Sequence, residues 1–230
     1  MKLKEAYKPL YMDRTISIQG YDLHIPYGST LSSINALHDE IFVHEFYKHD
    51  KCSIDPGDIV LDGGAHMGMA SLYFMLHGAS KIIAVEPAPL TIDALVKNLS
   101  LMGISHTIVH KALWRAPDLD IRFLFMPTQS CGSRIAIKSG NMLVPTTTID
   151  DLALEGVNII KLDIEGEELN ALRGAVNTIR NFKPKMFISA YHKARDIEIL
   201  PQFILNVEPA YKYEIVTHLE ILPIAYFWME

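Results

Sequence analysis

Short apolar runs and helical patterns alternate along most of the chain. Runs such as DIVLDGG, KIIAVEP and HTIVHKAL have the length of strands and are apolar at consecutive positions, which is typical of strands buried on both faces of a sheet. The patterns MASLYFMLHG and LTIDALVKNLSLMG lie between those runs, where a crossover helix makes its neighbouring strands parallel. The alternation predicts a doubly wound α/β sheet that is mostly parallel.

The same alternation predicts the second half of the chain. NIIKLDIEG and KMFISAYH are predicted strands, and EELNALRGAVNTIRN between them is a single helix that ends near the following proline. After the helix DIEILPQFILNV, two β-prone stretches complete the pattern. The last of them, IAYFWME, is apolar enough for a membrane or partner surface, but we interpret it as the closing antiparallel strand of the sheet.

Residues 1–52 are predicted to form a small N-terminal α+β cap. TISIQGYDLHIPYG predicts a β-hairpin, and LHDEIFVHEFYKH has apolar residues at helical spacing. The turn SIDPGD that follows has the Asp-Pro-Gly chemistry of a break. We therefore place a boundary there, so that residues 53–230 form the main α/β domain.

Charge and cysteine content exclude several classes of protein. The formal net charge of −6 and the pI near 5.9 indicate no basic face for nucleic acid. No apolar stretch approaches the roughly 18 residues of a membrane span, and none has the position of a signal peptide, so we expect a cytoplasmic protein. Cys52 and Cys131 are far apart and form no metal-binding pair, which argues against a disulfide or zinc framework.

The stretch IVLDGGAHMGMAS forms a glycine-rich turn after the first strand of the main domain. Ligands of doubly wound sheets lie outside the carboxyl ends of the strands, near the point where the strand order reverses. Compared with the dinucleotide fingerprint GxGxxG, Ala65 replaces the glycine that lets a pyrophosphate approach the backbone. Asp62 would repel a pyrophosphate and attract a cationic amino group. The turn therefore favours a ligand with an ammonium group over a dinucleotide.

A second acid follows the next predicted strand. Glu86 in KIIAVEPAP lies where an acid can accept the hydroxyl protons of a ribose. S-adenosylmethionine satisfies both acids, since it offers a ribose to Glu86 and an ammonium to Asp62 and carries no phosphate. The simpler alternatives are that Asp62 caps the next helix and that Glu86 is a solvated strand end.

Residues 58–192 resemble the FkbM-type family of S-adenosylmethionine-dependent methyltransferases. Two positions depart from the family, namely Gly63, where a small apolar residue is usual, and His66, where asparagine is frequent. The resemblance implies that residues 53–230 form a Rossmann-like methyltransferase domain, which methylates a hydroxyl on a sugar or another small metabolite in natural-product or glycan biosynthesis. The segments that carry it are, in order, VLDGGAHMGMASLYF, AVEPAP, VPTTTIDDL, IIKLDIEGEELNALRGA and ISAYHK.

The resemblance also implies the contacts of the cofactor. The methionine side would be lined by residues of the glycine turn, the ribose would be bound by the acid after the second strand with its neighbouring proline, and the adenine would lie after the third strand. In that order, these residues are Asp62, Gly64, Ala65 and Gly68, then Glu86 and Pro87, then Ala112.

Methyl transfer to an alcohol needs a group that accepts the hydroxyl proton. KLDIEGEE offers Asp163 and Glu165 at the end of the fourth strand, together with Lys161, which we expect to pair with Glu165. A helix-capping role for Asp163 remains the alternative. The two acids could also hold a magnesium ion, and the sequence does not decide whether a divalent metal binds. His192 in SAYHK is the third candidate base because histidine titrates near neutrality, and His110 is less favoured.

Other functions and partners remain open from sequence alone. The first alternative is an NAD-dependent oxidoreductase, and the second is an S-adenosylmethionine-binding module without turnover. A small hydroxylated molecule is the expected partner. The tyrosines of the cap either shape the pocket of this acceptor or contact a second copy in a homo-oligomer, and they are Tyr7, Tyr11, Tyr21 and Tyr27.

Overall fold

The computed structural model describes residues 14–126, 132–152 and 156–230. Its N-terminal part contains the predicted hairpin, with β1 at Thr15–Ile18 antiparallel to β2 at Tyr21–His24. Helix α1 spans Leu31–His38 and continues as a π-helical turn at Asp39–Val43, so it begins and ends earlier than the sequence predicted. Tyr7, Tyr11 and Cys131 lie outside the described residues.

The central sheet has seven strands in the order β12-β13-β11-β10-β3-β4-β5. The five strands from β11 to β5 are parallel, whereas β13 is antiparallel to β11 and to β12. The chain builds the sheet outward from β3 in one direction and then returns to add β10 and β11 on the other side. The predicted doubly wound sheet with an antiparallel C-terminal strand is confirmed. The strands are β3 (Ile59–Gly63), β4 (Lys81–Val85), β5 (Ser105–Val109), β10 (Ile159–Leu162), β11 (Lys185–Ser189), β12 (Lys212–His218) and β13 (Leu222–Trp228).

In the described part of the chain, five helices follow the strands of this sheet, and one prediction about them was wrong. The stretch predicted as a single helix is two helices that are separated at Gly174. A Cβ at Gly174 would collide with the carbonyl oxygen of Trp114, and the side chain of Asp150 accepts a hydrogen bond from the backbone N–H of Thr178 at 2.8 Å. Asp150, which is distant in sequence, thus stabilises the first turn of the second helix. The helices are α2 (Met69–Leu76), α3 (Pro89–Met102), α4 (Glu168–Arg173), α5 (Val176–Phe182) and α6 (Asp196–Val207).

A second, four-stranded sheet was not predicted from the sequence. Its order is β6-β9-β7-β8, and β7 is antiparallel to both β8 and β9. The run HTIVHKAL, predicted as one strand, divides into β5 of the large sheet and β6 of this small one. The small sheet consists of β6 (Ala112–Leu113), β7 (Asp120–Leu124), β8 (Arg134–Ile135) and β9 (Met142–Thr147).

The N-terminal part shares its core with one face of the large sheet. Leu23, Ile34 and Phe46 are buried in the same cluster as Phe74 of α2 and Phe187 of β11. The proposed boundary at residues 52 and 53 falls in a stretch without regular structure. Among the helices of the described ranges, none has the length and apolar character that crossing a membrane requires.

Asn98 of α3 links the N-terminal hairpin to the glycine turn. Its fully buried side chain accepts from His24 N at 2.7 Å and donates to His24 O at 3.0 Å and to Met67 O at 2.7 Å. We expect Asn98→Ala to lower the free energy of unfolding by about 1–3 kcal/mol, because these buried backbone groups lose their partner. Denaturant unfolding would measure this loss.

The matched control for this prediction is Asn206→Ala, which changes an exposed asparagine of α6. We expect its effect to stay within about 0.5 kcal/mol. Equal losses in the two variants would contradict the linking role of Asn98.

Candidate active site

A cavity of about 330 Å³ opens at the carboxyl ends of β3, β4 and β10. The strand order reverses between β3 and β10, so the cavity lies where doubly wound sheets bind their ligands. Its volume falls in the range of small-molecule sites. The glycine turn and the end of β4 form one side of the cavity, the ends of β10 and β11 form another, and residues of the N-terminal part and of the small sheet complete the wall.

Three backbone N–H groups of the glycine turn are already hydrogen-bonded within the protein, so they are not available to a phosphate. The N–H groups of Gly64 and Ala65 donate to Val85 O at 3.0 and 3.1 Å, and that of His66 donates to Glu86 Oε2 at 2.9 Å. Gly64 has a φ of +74°, and a Cβ there would collide with the backbone carbonyl of Asp163. The turn is therefore packed tightly against β10 and is bonded to the end of β4.

Asp62 stands behind the turn rather than in the cavity wall. It is 0% exposed, and its Oδ1 accepts from Lys161 Nζ at 2.9 Å while its Oδ2 accepts from Ser71 Oγ at 2.7 Å. Lys161 also donates to the carbonyls of Gly63 and Gly64, at 3.1 and 2.8 Å. The expected pairing of Lys161 with Glu165 is wrong, since its partner is Asp62. The ammonium that contacts Asp62 is therefore the side chain of Lys161. Direct contact between Asp62 and the ammonium of a cofactor stays a prediction.

Glu86 follows β4 and lines the cavity. Its Oε1 accepts from Ala88 N at 2.8 Å, and its Oε2 accepts from His66 N. Burial raises the pKa of this carboxyl to about 7, although these hydrogen bonds and the charge of Lys161 act in the opposite direction. Of the residues predicted to contact the cofactor, Asp62 and Gly68 do not line the cavity. The five that the structure brings together on its wall are Gly64, Ala65, Glu86, Pro87 and Ala112.

Two predicted catalytic acids line the cavity beyond the end of β10. Asp163 accepts a hydrogen bond from Tyr191 Oη at 3.1 Å. Glu165 has a φ of +58°, and burial together with the charge of Asp163 raises its pKa to about 7, against the opposing effect of His192. A carboxyl that titrates near neutral pH suits proton transfer from an acceptor hydroxyl.

His192, the third predicted catalytic residue, lies behind these acids. Its side chain is 11% exposed, and its Nε2 is 3.6 Å from Asp163 Oδ1 and 3.8 Å from Glu165 Oε2. Burial acts against its charge, but the hydrogen bond to Glu168 and the charges of Asp163, Glu168 and Glu165 outweigh burial and raise its pKa to about 9. The raised pKa favours the imidazolium form of His192 at neutral pH, and its role as a base stays a prediction.

Glu168 is a residue of the site that sequence reasoning did not single out. Its Oε1 lies 3.0 Å from His192 Nδ1 and accepts from the backbone N–H groups of Ile164 and Gly166. The side chain is only 1% exposed. The motif KLDIEGEE contains this residue, but its role depends on a loop that folds back on the first turn of α4. His110, the less favoured histidine, is elsewhere, with Nε2 3.2 Å from Pro87 O.

Asp163, Glu168 and His192 also form a group that could hold a metal ion, because one ligand atom from each lies within 4.8 Å of the others. The direct contacts between the imidazolium and the carboxylates account for this arrangement without a cation. We therefore assign no metal to the site.

The chain has the Rossmann-like fold that methyltransferases share. The crystal structure of methyltransferase FkbM from Methylobacillus flagellatus KT has this fold, with a TM-score of 0.59 and 24% sequence identity. The match covers 75% of this chain and 44% of that one. The family model described as the methyltransferase FkbM domain matches residues 62–215, and the chain therefore belongs to the FkbM methyltransferase family.

Curated relatives of the chain include two named methyltransferases. The 31-O-demethyl-FK506 methyltransferase FkbM of Streptomyces tacrolimicus is 38% identical over 82 residues, which are 33% of this chain and 32% of the relative. The hexuronic acid methyltransferase AglP of Haloferax volcanii is 27% identical over 128 residues, 54% of this chain and 52% of the relative. The chain thus spans about a third and about half of the lengths of these relatives.

Proposed function

We propose that the chain is an S-adenosylmethionine-dependent methyltransferase that methylates a hydroxyl of a sugar or another small metabolite. One observation carries this proposal. A single cavity has an acid suited to a ribose, Glu86, on one side of β3 and the two carboxyls of Asp163 and Glu165 on the other. The names of these two relatives support the acceptor class, since one refers to an O-demethylated substrate and the other to a sugar acid.

The residues on the β4 side of the cavity fit this cofactor. Glu86 can accept from ribose hydroxyls, and Pro87 and Ala112 leave an uncharged surface for the adenine. Since the N–H groups of Gly64 and Ala65 are bonded to β4, the turn suits a ligand without a pyrophosphate. When bound, S-adenosylmethionine supplies an electrophilic methyl group on a sulfonium.

The carboxyls on the β10 side of the cavity bind the acceptor and remove its hydroxyl proton. Asp163, oriented by the hydroxyl of Tyr191, accepts a hydrogen bond from the acceptor and holds its hydroxyl in line. Glu165 takes the hydroxyl proton as the oxygen attacks. The charge of His192, held by Glu168, lowers the pKa of Glu165 and so favours its ionised form. His192 is thus a positioning residue in this mechanism.

Calorimetric titration tests the cofactor directly. We expect S-adenosylmethionine and S-adenosylhomocysteine to bind and NAD not to bind. Glu86→Gln is expected to weaken both adenosyl ligands roughly ten- to a hundredfold, because the amide nitrogen of glutamine donates hydrogen bonds and cannot accept one from a ribose hydroxyl. Glu198→Gln, an exposed change in α6, serves as the matched control and should bind both ligands as the wild type does.

Two results would overturn this function. Binding of NAD alone would make the chain an oxidoreductase. Tight binding of S-adenosylmethionine without any methyl transfer to a panel of hydroxylated acceptors would favour a binding module without turnover.

A further inference from the structure

One wall of the cavity lies ahead of the matched family domain. The family model begins at residue 62, yet α1, the π-helical turn after it and the segment that follows close one side of the cavity. The family model therefore does not include this N-terminal wall. Its residues are Ser33, Ala36, Leu37, Glu40, Ile41 and Tyr47.

Burial holds the N-terminal wall in place. Ile34 of α1 and Ile41 of the π-helical turn are buried in the core that they share with α2. In the turn, His44 N donates to Asp39 O, five residues back, at 2.8 Å. Single π-helical turns are frequent at functional sites. Here the turn inserts Ile41 into the core while its neighbour Glu40 lines the cavity.

Glu40 adds a carboxyl to the part of the cavity that contains Asp163. Burial, and then the charge of Asp163, raise the pKa of Glu40 to about 7. Burial and these two carboxylates also raise the pKa of Tyr47 and of Tyr191, whose side chains line the same space. The four groups thus enclose one acidic end of the cavity, which Glu165 extends.

The cations near this end offset only part of its charge. His192, behind the wall, lies 3.6 Å from Asp163 and 3.8 Å from Glu165, but it also pairs with Glu168. Lys161 is bonded to Asp62. His66 is uncharged at neutral pH because burial, and then the charge of Lys161, lower its pKa to about 4. Arg134 of β8 is exposed to solvent, where its charge is screened. An anionic group at this end would meet carboxylates in a partly desolvated space, which is costly.

We propose that Glu40 is a specificity-determining residue, which binds the acceptor through a hydroxyl or ammonium donor and excludes acceptors that carry a carboxylate or a phosphate. In acceptor charge this chain then differs from the relative that is named for a hexuronic acid. This inference rests on the proposed function and deepens it by naming the charge class of the acceptor. Carboxylate oxygens only accept hydrogen bonds when ionised, so an uncharged or aminated ring satisfies Glu40, whereas an acidic ring leaves two like charges together.

Three methyl glycosides that differ in one substituent test this proposal. Methyl glucoside is neutral, methyl 6-amino-6-deoxyglucoside carries an ammonium, and methyl glucuronide carries a carboxylate at the same carbon. Their binding to the protein saturated with S-adenosylhomocysteine is measured by calorimetry at mildly alkaline pH, with the wild type, Glu40→Gln and Glu40→Lys. Glu45→Gln is the matched control, since Glu45 is on the same segment, pairs with Lys48 at 2.8 Å and does not line the cavity.

We expect the wild type to bind the neutral and aminated rings at least tenfold more tightly than the acidic ring. In Glu40→Gln, the ratio between the affinities for the neutral ring and for the acidic ring should fall by about tenfold. Glu40→Lys should reverse the order, and Glu45→Gln should leave it unchanged.

The inference is overturned if the wild type prefers the acidic ring, if both Glu40 variants keep the order of the wild type, or if no ring binds. Binding of S-adenosylhomocysteine is measured first in every variant. Its failure in the wild type contradicts the proposed function, whereas its success with an unchanged order of glycosides contradicts only the role of Glu40.

Discussion

The Glu165→Gln variant is expected to bind S-adenosylmethionine like the wild type and to transfer its methyl group roughly 10²–10⁴ times more slowly. Glu165 lines the cavity with a carboxyl whose pKa burial and Asp163 raise to about 7, and an amide of the same shape cannot accept the proton. The measurement is the rate of S-adenosylhomocysteine formation with an acceptor that the wild type methylates.

The pH profile of the same reaction distinguishes a base from a structural carboxylate. The wild-type rate should rise as the pH passes about 7 and Glu165 ionises, and fall as the pH passes about 9 and His192 loses its charge. Glu165→Gln should lose the rising limb. If the rate of this variant still rises as the pH passes about 7, a group other than Glu165 is the general base. The charged groups that act on Glu165 are Asp163, His192, Glu168 and Arg134, and Glu40 titrates in the same range.

Lys161→Met is expected to lower the free energy of unfolding by about 3–5 kcal/mol. Lys161 and Asp62 are 3% and 0% exposed, so the substitution leaves the carboxylate of Asp62 as an uncompensated buried charge. The carbonyls of Gly63 and Gly64 lose their donor as well. Denaturant unfolding measures the loss, which is a large part of the stability of a typical domain.

The double variant Asp62→Leu with Lys161→Met separates the cost of an unpaired charge from the cost of altered packing. We expect it to regain most of the lost stability, because removing both partners of a buried ion pair is often close to neutral. A remainder of about 1–3 kcal/mol is expected because the hydroxyl of Ser71 loses its acceptor and the carbonyls of Gly63 and Gly64 stay without their donor. If the free energy of unfolding of Lys161→Met falls by less than this remainder, the carboxylate of Asp62 is not left as an uncompensated charge, and water must reach the ion pair.

The large sheet could be predicted from the sequence because its parallel strands are buried on both faces. Strands such as β3 and β4 appear as continuous apolar runs, and the helices between them specify the crossovers. The small sheet gave a weaker signal. Its β7 alternates buried Ile121 and Phe123 with exposed Arg122, and β6 and β8 are each only two residues long. The break at Gly174 depends on Trp114 and Asp150, which local patterns do not reveal.

The positions of the site residues were predictable, but their partners were not. Acids that follow parallel strands emerge at one edge of the sheet, and Glu86 and Asp163 line one cavity as a result. Lys161 faces Asp62 because β10 and β3 are neighbours in register, which requires the strand order. The charge of His192 depends on Glu168, held by a folded loop. Glu40 belongs to no motif and is visible only once α1 lies against the cavity.

The shared core of the N-terminal part constrains how such an enzyme can evolve. Ile41 and Phe46 fill the core beside the wall that contains Glu40, so replacing the whole segment would expose the apolar face of the sheet. New acceptor preferences therefore have to arise by substitutions at individual cavity-facing positions, with the buried neighbours kept. In this chain, the residues that tune selectivity and the residues that secure folding alternate along one short stretch.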